Sequence, residues 1–261
     1  MRSLLTALLL GYCIPVSAQE DVVHQLTRDG GDAIGAAAHV FSSPLHWEGN
    51  DWVCAAGALV FTGASALLDD ETRDLMKRNQ TSLNDRLQTI TVEYGSGLNM
   101  MLLSAGLYTA GLIGNNKWVR ETGLLTGTAI VCAATVSTLT KGIVGRARPF
   151  LELGNHRFKP FQLNDPYHSF PSGHTIVAFS VSAVLAERIK NTWASIGLYV
   201  IAAGSAASRL YSDNHWLSDV VFGALYSTAM ARSIVTWYEH REEDGLSLVP
   251  VPGGISITWV L

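Results

Sequence analysis

Six apolar segments, at about 52–68, 95–114, 122–140, 175–186, 193–208 and 217–230, do most to restrict the folds open to this 261-residue chain. None shows the strict alternation of a half-buried strand, so all six read as helices. They are rich in Gly, Ala, Ser and Thr, which lets helix backbones approach closely in a bundle and weakens any claim that each faces lipid. The expected fold is all-α: a bundle of these six helices, plus a short extended C-terminal tail. One domain accommodates this length.

Charged residues make up 15% of the chain, against roughly 25% in soluble globular domains. This favours membrane association or deep helix burial. The first residues, MRSLLTALLLGYCIPVSAQE, combine Arg2, an apolar stretch and small residues before Gln19. They read as a signal peptide over 1–18, cut after Ala18, with an uncut anchor as the alternative. Without the leader, 17 basic residues face 22 acidic ones, a balance that gives no sign of nucleic-acid binding. The expected location is exported and periplasmic, as a bundle resting on a membrane or, alternatively, integral to it. Several segments are short against the roughly 20 residues a span requires. Cys54 and Cys132 remain after the leader; a disulfide is permitted outside the cytoplasm, but burial as small hydrophobes is the commoner fate.

Behind the leader the chain divides into a lead-in, first core helix and polar connection (19–94), a core (95–232) and a tail (233–261). The connection at 69–94 carries Asp69, Asp70 and Glu71 followed by Arg73, Lys77 and Arg78 and reads as solvated, with one or two short amphipathic helices. A second long connection, at 150–170, mixes aromatic and basic residues and suits a binding loop or lid. In the tail, Pro250, Pro252, Gly253 and Gly254 punctuate a Val/Ile/Leu-rich run, as in an extended segment or small hairpin.

Three stretches gather polar residues at the ends of apolar helices. In KGIVGRARP (141–149), Lys141 and Arg148 lie about two helical turns apart and Pro149 stops the element. FPSGHT (170–175) suits a helix start in which Ser172 and Gly173 expose backbone amides to an anion, with His174 at the rim to give or take a proton. In SRLYSDNHWLSD (208–219), His215 and Asp219 are four apart, so that on a helix the carboxylate could hold the imidazole in one tautomer. Arg209 adds a third cation, with Ser208 beside it. Three cations, an amide-rich helix start, a buttressed histidine and a second histidine make a phosphate site with a nucleophile and an acid. Arg146 reads as a solvated neighbour that could reach a diphosphate, and Asp213 as a loop residue.

These stretches resemble the signature of the type 2 phosphatidic acid phosphatase and vanadium haloperoxidase superfamily: Lys, six residues, Arg-Pro; Pro-Ser-Gly-His; Ser-Arg, five residues, His, three residues, Asp. Every signature position is filled, over roughly 95–230. The resemblance implies a six-helix core bundle with the active site at one end, where the motifs meet, and hydrolysis of a phosphomonoester, a lipid phosphate or a diphosphate through a phosphohistidine. His215 would be the nucleophile, His174 the acid and base, and Asp219 the orienting carboxylate. Lys141, Arg148, Ser172, Gly173 and Arg209 would hold the phosphate, with Ser208 in support. No metal or cofactor is implied, and vanadate is expected to inhibit. The expected partner is a phosphorylated small molecule or a lipid headgroup. The alternatives are a vanadate-dependent haloperoxidase, a metal hydrolase using His174, His215 and Asp219, and a non-enzymatic lipid-binding protein.

Overall fold

The computed structural model describes residues 16–161, 164–243, 246–251 and 254–259. Nine α-helices run through the described residues: α1 (Val16–Ser42), α2 (Gly49–Ala66), α3 (Asp69–Arg78), α4 (Ser82–Thr91), α5 (Gly97–Ile113), α6 (Lys117–Val144), α7 (Gly173–Ile189), α8 (Thr192–Tyr211) and α9 (Leu217–Glu243). The six apolar segments are α2 and α5 to α9. The tail forms a hairpin of β1 (Leu246–Val251) and β2 (Gly254–Trp259), antiparallel, with Leu246 opposite Trp259 and Val251 opposite Gly254. The all-α expectation with an extended tail holds. Of the leader, residues 1–15 lie outside the described residues.

The bundle is organised around α7, which is apolar or small all round and accordingly buried on nearly every side. Its Ala183 and Val184 belong to one core cluster with Leu125, Ala129 and Cys132 of α6, Ile234, Val235 and Tyr238 of α9, and Ala36 and Val40 of α1. A second cluster joins Ile130 of α6 to Val177 and Val181 of α7, with Tyr94 and Met100 packed against it.

Helix α1 is an addition to the expected core: sequence reading left 19–42 as a lead-in. Its buried face is built from small residues and two acids. Asp29 is buried against Arg120 of α6 at 3.0 Å and accepts from the Tyr108 hydroxyl at 2.8 Å. Asp32 is buried against Arg241 of α9, with a second contact at 2.7 Å. Such a face has little apolar periodicity to read. Conversely α2, expected as a core helix, lies against α9 at the periphery and buries only Thr62 and Ser65.

The α5/α6 crossing shows what the small residues do. A Cβ on Gly123 would lie 2.4 Å from the Tyr108 amide nitrogen, and the Ser104 hydroxyl donates to the Gly123 carbonyl at 2.8 Å. Only a glycine lets the two backbones meet this closely.

Large apolar side chains cover the outside of the bundle. Val60 is 72% exposed, Ile113 87% and Trp193 81%, with Leu102, Val131 and Val200 also open. Helix α6 is long and apolar enough to cross a membrane, and the bent pairs α2–α3 and α4–α5 reach that standard if each counts as one span. Cys54 and Cys132 are both free; Cys132 is buried in the core, as expected, whereas Cys54 is exposed on α2.

Candidate phosphate site

Four helix starts are capped in the ordinary way. Thr81, Ser96, Asn116 and Asn191 each accept a hydrogen bond from a first-turn amide of α4, α5, α6 and α8. Helix α7 departs from this pattern. Its N-cap Ser172 makes no such bond, and its buried hydroxyl accepts instead from Thr175 at 2.9 Å. The first-turn amides of α7 therefore have no capping side chain. Space is open above Gly173, with no atom within 4 Å of where a Cβ would stand. A helix start left in this way favours an anion.

The cations arrive from two other elements. Helix α6 ends at Gly145 in the left-handed conformation, φ +60, which turns the chain sharply after Lys141. The Lys141 ammonium donates to the His168 carbonyl at 2.6 Å. Beyond the turn, Arg148 donates from Nη2 to the Asp165 carboxylate at 2.7 Å, from Nε to the Asp165 carbonyl at 3.1 Å, and from Nη1 to Asn214 Oδ1 at 3.1 Å. Arg209 comes from the last turn of α8, and its buried Nε has no hydrogen-bond partner. Ser208, beside it, donates its hydroxyl to the Ser205 carbonyl of its own helix at 2.6 Å.

His174, on the first turn of α7, is half-buried. Its pKa falls from the ordinary 6.5 to about 4, first because burial disfavours the charged ring and then because of the charges of Arg209, Arg148 and Lys141. The structure thus brings all three expected cations within electrostatic reach of this one histidine.

His215 precedes α9 and does not share a helical face with Asp219. Its Nδ1 lies 2.7 Å from the Ser169 carbonyl and 3.7 Å from Asp219 Oδ2. A carbonyl can only accept, so Nδ1 carries the proton and the lone pair falls on Nε2. Burial lowers the pKa of His215 to about 4, against the opposing pull of Asp219. The ring is neutral at neutral pH.

Asp219 is wholly buried and acts on the same loop. Its Oδ2 accepts from the Ser169 hydroxyl at 2.5 Å and the Trp216 amide at 2.8 Å, and its carbonyl accepts from the Ser172 amide at 3.1 Å. Burial pushes its pKa up, but His215, Arg146 and Ser169 outweigh it and hold the carboxyl below the usual range.

Arg146 corrects the sequence reading. Far from solvated, it is 4% exposed, and its Nη1 donates to Asp219 Oδ1 at 2.6 Å and to the Ser218 hydroxyl at 2.7 Å. Nη2 donates to Asp69 at 2.6 Å, and Nε and Nη2 both donate to the Asn155 carbonyl. Asp69, from the connection read as solvated, is 1% exposed. Sequence reasoning missed Asp69, Asn155, Ser169 and Asn214; Arg146 alone carried a signal, standing two residues before Arg148. Asp213 pairs with Arg73 of α3 at 2.7 Å. Among the described residues no three His, Cys, Asp or Glu side chains are arranged to hold a metal ion, so His174, His215 and Asp219 do not form such a set.

Residues 122–243 match the family model described as the PAP2 superfamily. The chain is 37% identical over 59 residues to a lipid A 1-phosphatase of Porphyromonas gingivalis, a match spanning 22% of this chain and 13% of that one. It is 32% identical over 180 residues to a probable diacylglycerol pyrophosphate phosphatase 1 of Schizosaccharomyces pombe, spanning 53% of this chain and 62% of that one. Both matches cover less than two thirds of the relative. The crystal structure of Aquifex aeolicus LpxE superposes with a TM-score of 0.53 at 22% identity, covering 65% of this chain and 95% of that one, a likeness of fold. The stretch that matches the PAP2 superfamily model, residues 122–243, carries Lys141, Arg148, His174, Arg209, His215 and Asp219.

Proposed function

We propose that this protein is a metal-independent phosphatase of lipid phosphates, monoester or diphosphate, working through a phosphohistidine on His215. The observation that carries the reading is the His215–Ser169 hydrogen bond of 2.7 Å, which frees Nε2, in a site where three cations reach His174. In the first step Nε2 attacks phosphorus in line, the ester P–O bond breaks, and His174 gives its proton to the leaving oxygen. In the second, His174 takes a proton from water, the hydroxide attacks phosphorus, and the P–N bond breaks to release inorganic phosphate and restore His215. Lys141, Arg148, Arg209 and the α7 amides would hold the charge on the phosphoryl oxygens in both steps.

A lipid substrate is supported by the names of the relatives and by the apolar exterior of α2, α5, α6 and α8. The same exterior supports membrane association, and the leader supports export with the site on the periplasmic side.

Phosphate release from p-nitrophenyl phosphate and from phosphatidate, in excess EDTA, with and without vanadate and beside His215→Ala, tests this reading. Activity that resists EDTA, yields to vanadate and disappears in the variant is the expected result. Activity lost to EDTA, or retained by His215→Ala, would overturn it. Membrane association predicts that alkaline carbonate leaves the protein in the membrane pellet and detergent releases it.

A further inference from the structure

Asp69 opens α3, 77 positions before Arg146 and outside the stretch matched to the family model. We propose that Asp69 is a positioning residue for phosphoryl transfer: acting through Arg146, it fixes the orientation and the net negative charge of the buried array next to His215. The inference rests on the phosphohistidine reading above.

Geometry comes first. Asp69 Oδ2 takes Arg146 Nη2 at 2.6 Å, and Oδ1 takes the Ser218 amide at 2.9 Å. Arg146 in turn holds Asp219 Oδ1 at 2.6 Å, and its carbonyl accepts from the Ser169 amide at 3.1 Å. Ser169 is the residue whose carbonyl fixes Nδ1 of His215 and whose hydroxyl is held by Asp219. A path of short hydrogen bonds therefore runs from Asp69 through Arg146 to both groups that face the nucleophile. Phe158 and Trp216 cover the guanidinium, at 5.7 and 5.6 Å from its central carbon.

Charge gives the function. When Nε2 of His215 bonds to phosphorus while Nδ1 keeps its proton, the ring acquires a positive charge. Asp219 faces that ring, but Arg146 cancels its charge at 2.6 Å. The second carboxylate, Asp69, restores a net charge of minus one to the array of three side chains. In a buried site this charge is little screened, and it stabilises the charged ring more than the neutral one. A residue that merely docked α3 would need no charge for the task.

The two roles separate by charge count. Asp69→Asn keeps an oxygen for the Ser218 amide and makes the array neutral; Asp69→Asn combined with Arg146→Gln returns it to minus one. On p-nitrophenyl phosphate, Asp69→Asn is expected to lower kcat about 10- to 100-fold with KM within about twofold. The double variant is expected to recover at least about fivefold of that loss. A kcat unchanged in Asp69→Asn, or a double variant no better than the single one, would overturn the proposal. Should Asp69→Asn not fold, Asp69→Glu and Asp69→Gln give the same comparison at equal size, and equal kcat in the two would overturn it. His215→Ala, run alongside, separates the failures. Full activity in His215→Ala overturns the phosphohistidine reading and this role with it, whereas loss there with an unchanged Asp69→Asn overturns the role of Asp69 alone.

Discussion

The carbonyl oxygen of Ser169 stands 2.7 Å from Nδ1 of His215 and accepts a hydrogen bond from it. Asp219, 3.7 Å from the same nitrogen, serves instead to hold the Ser169 hydroxyl, the Trp216 amide and Arg146 in position. The carboxylate orients the histidine mainly through the loop that carries Ser169.

Variants of the two residues should then differ in kind. Asp219→Asn turns an amide group toward donors and leaves Arg146 a single carboxylate partner, at a cost of about 3–5 kcal/mol in stability. Its kcat should fall by about 10²–10³, as expected for losing a charged group beside the reacting one. Ser169→Ala keeps the carbonyl and removes only the hydroxyl, a loss of about 1 kcal/mol and about fivefold in kcat. Thermal unfolding followed by circular dichroism, beside kcat on p-nitrophenyl phosphate, checks both; equal effects would mean that the Ser169 hydroxyl carries the whole orienting role of Asp219 and that Arg146 and the Trp216 amide add nothing.

His174 should show its role through the leaving group. Beside three cations its pKa is about 4; a bound phosphate dianion offsets them and draws it upward, so the base limb of kcat should lie well above pH 4. Nitrophenolate leaves without a proton and an alkoxide does not. His174→Gln should therefore lose about 10²–10⁴ on an alkyl phosphate and about tenfold or less on p-nitrophenyl phosphate. Equal losses on both would remove the proton-donor role.

The same depressed values set the acid stability. His174 and His215 both fall from 6.5 to about 4 on folding, so the unfolded chain binds protons that the folded chain does not in this interval. Their contribution to stability is complete above about pH 6.5 and is lost as pH falls through about 4. Tm should decline over that window, and less steeply in His174→Gln.

Much of this was legible because it is local. Six apolar runs became six helices, and three motifs at helix ends came together because each stands at the site end of its helix. What sequence hid is pairing over distance. Among Asp69, Asp70 and Glu71 nothing in composition says that Asp69 is buried against Arg146. Nor do apolar neighbours tell an outer helix from an inner one: Cys132 is buried on α6 and Cys54 exposed on α2, although both lie in apolar runs. Helix α1 escaped because Asp29 and Asp32 interrupt its buried face, and only their partners Arg120 and Arg241 make that face intelligible.

Gly145 couples the end of α6 to the phosphate site. Its φ of +60 is strained for any other residue, and a Cβ there would lie 1.7 Å from the Lys159 carbonyl. Gly145→Ala must displace either the turn or the strand-like segment around Lys159, and with it Arg146 and Arg148. KM for phosphate esters should rise about tenfold or more, with a stability loss of about 1–3 kcal/mol. An unchanged KM would mean that Arg148 is positioned from the Asp165 side alone.

Asp165 competes for the guanidinium that the phosphate needs. Its carboxylate is 2.7 Å from Arg148 Nη2, and its side chain is 76% exposed. An exposed ion pair is weak and screened, so a dianion with two further cations and the α7 amides available to it should displace the carboxylate at small cost. Asp165→Asn removes the competing charge while the main-chain bond from Arg148 Nε to the residue 165 carbonyl remains. The inhibition constant of inorganic phosphate should fall about two- to fivefold at low salt, and the difference should narrow at 0.5 M salt. A rise instead would show that the carboxylate aligns Arg148 for the substrate, making the pair part of the binding geometry rather than an obstacle to it.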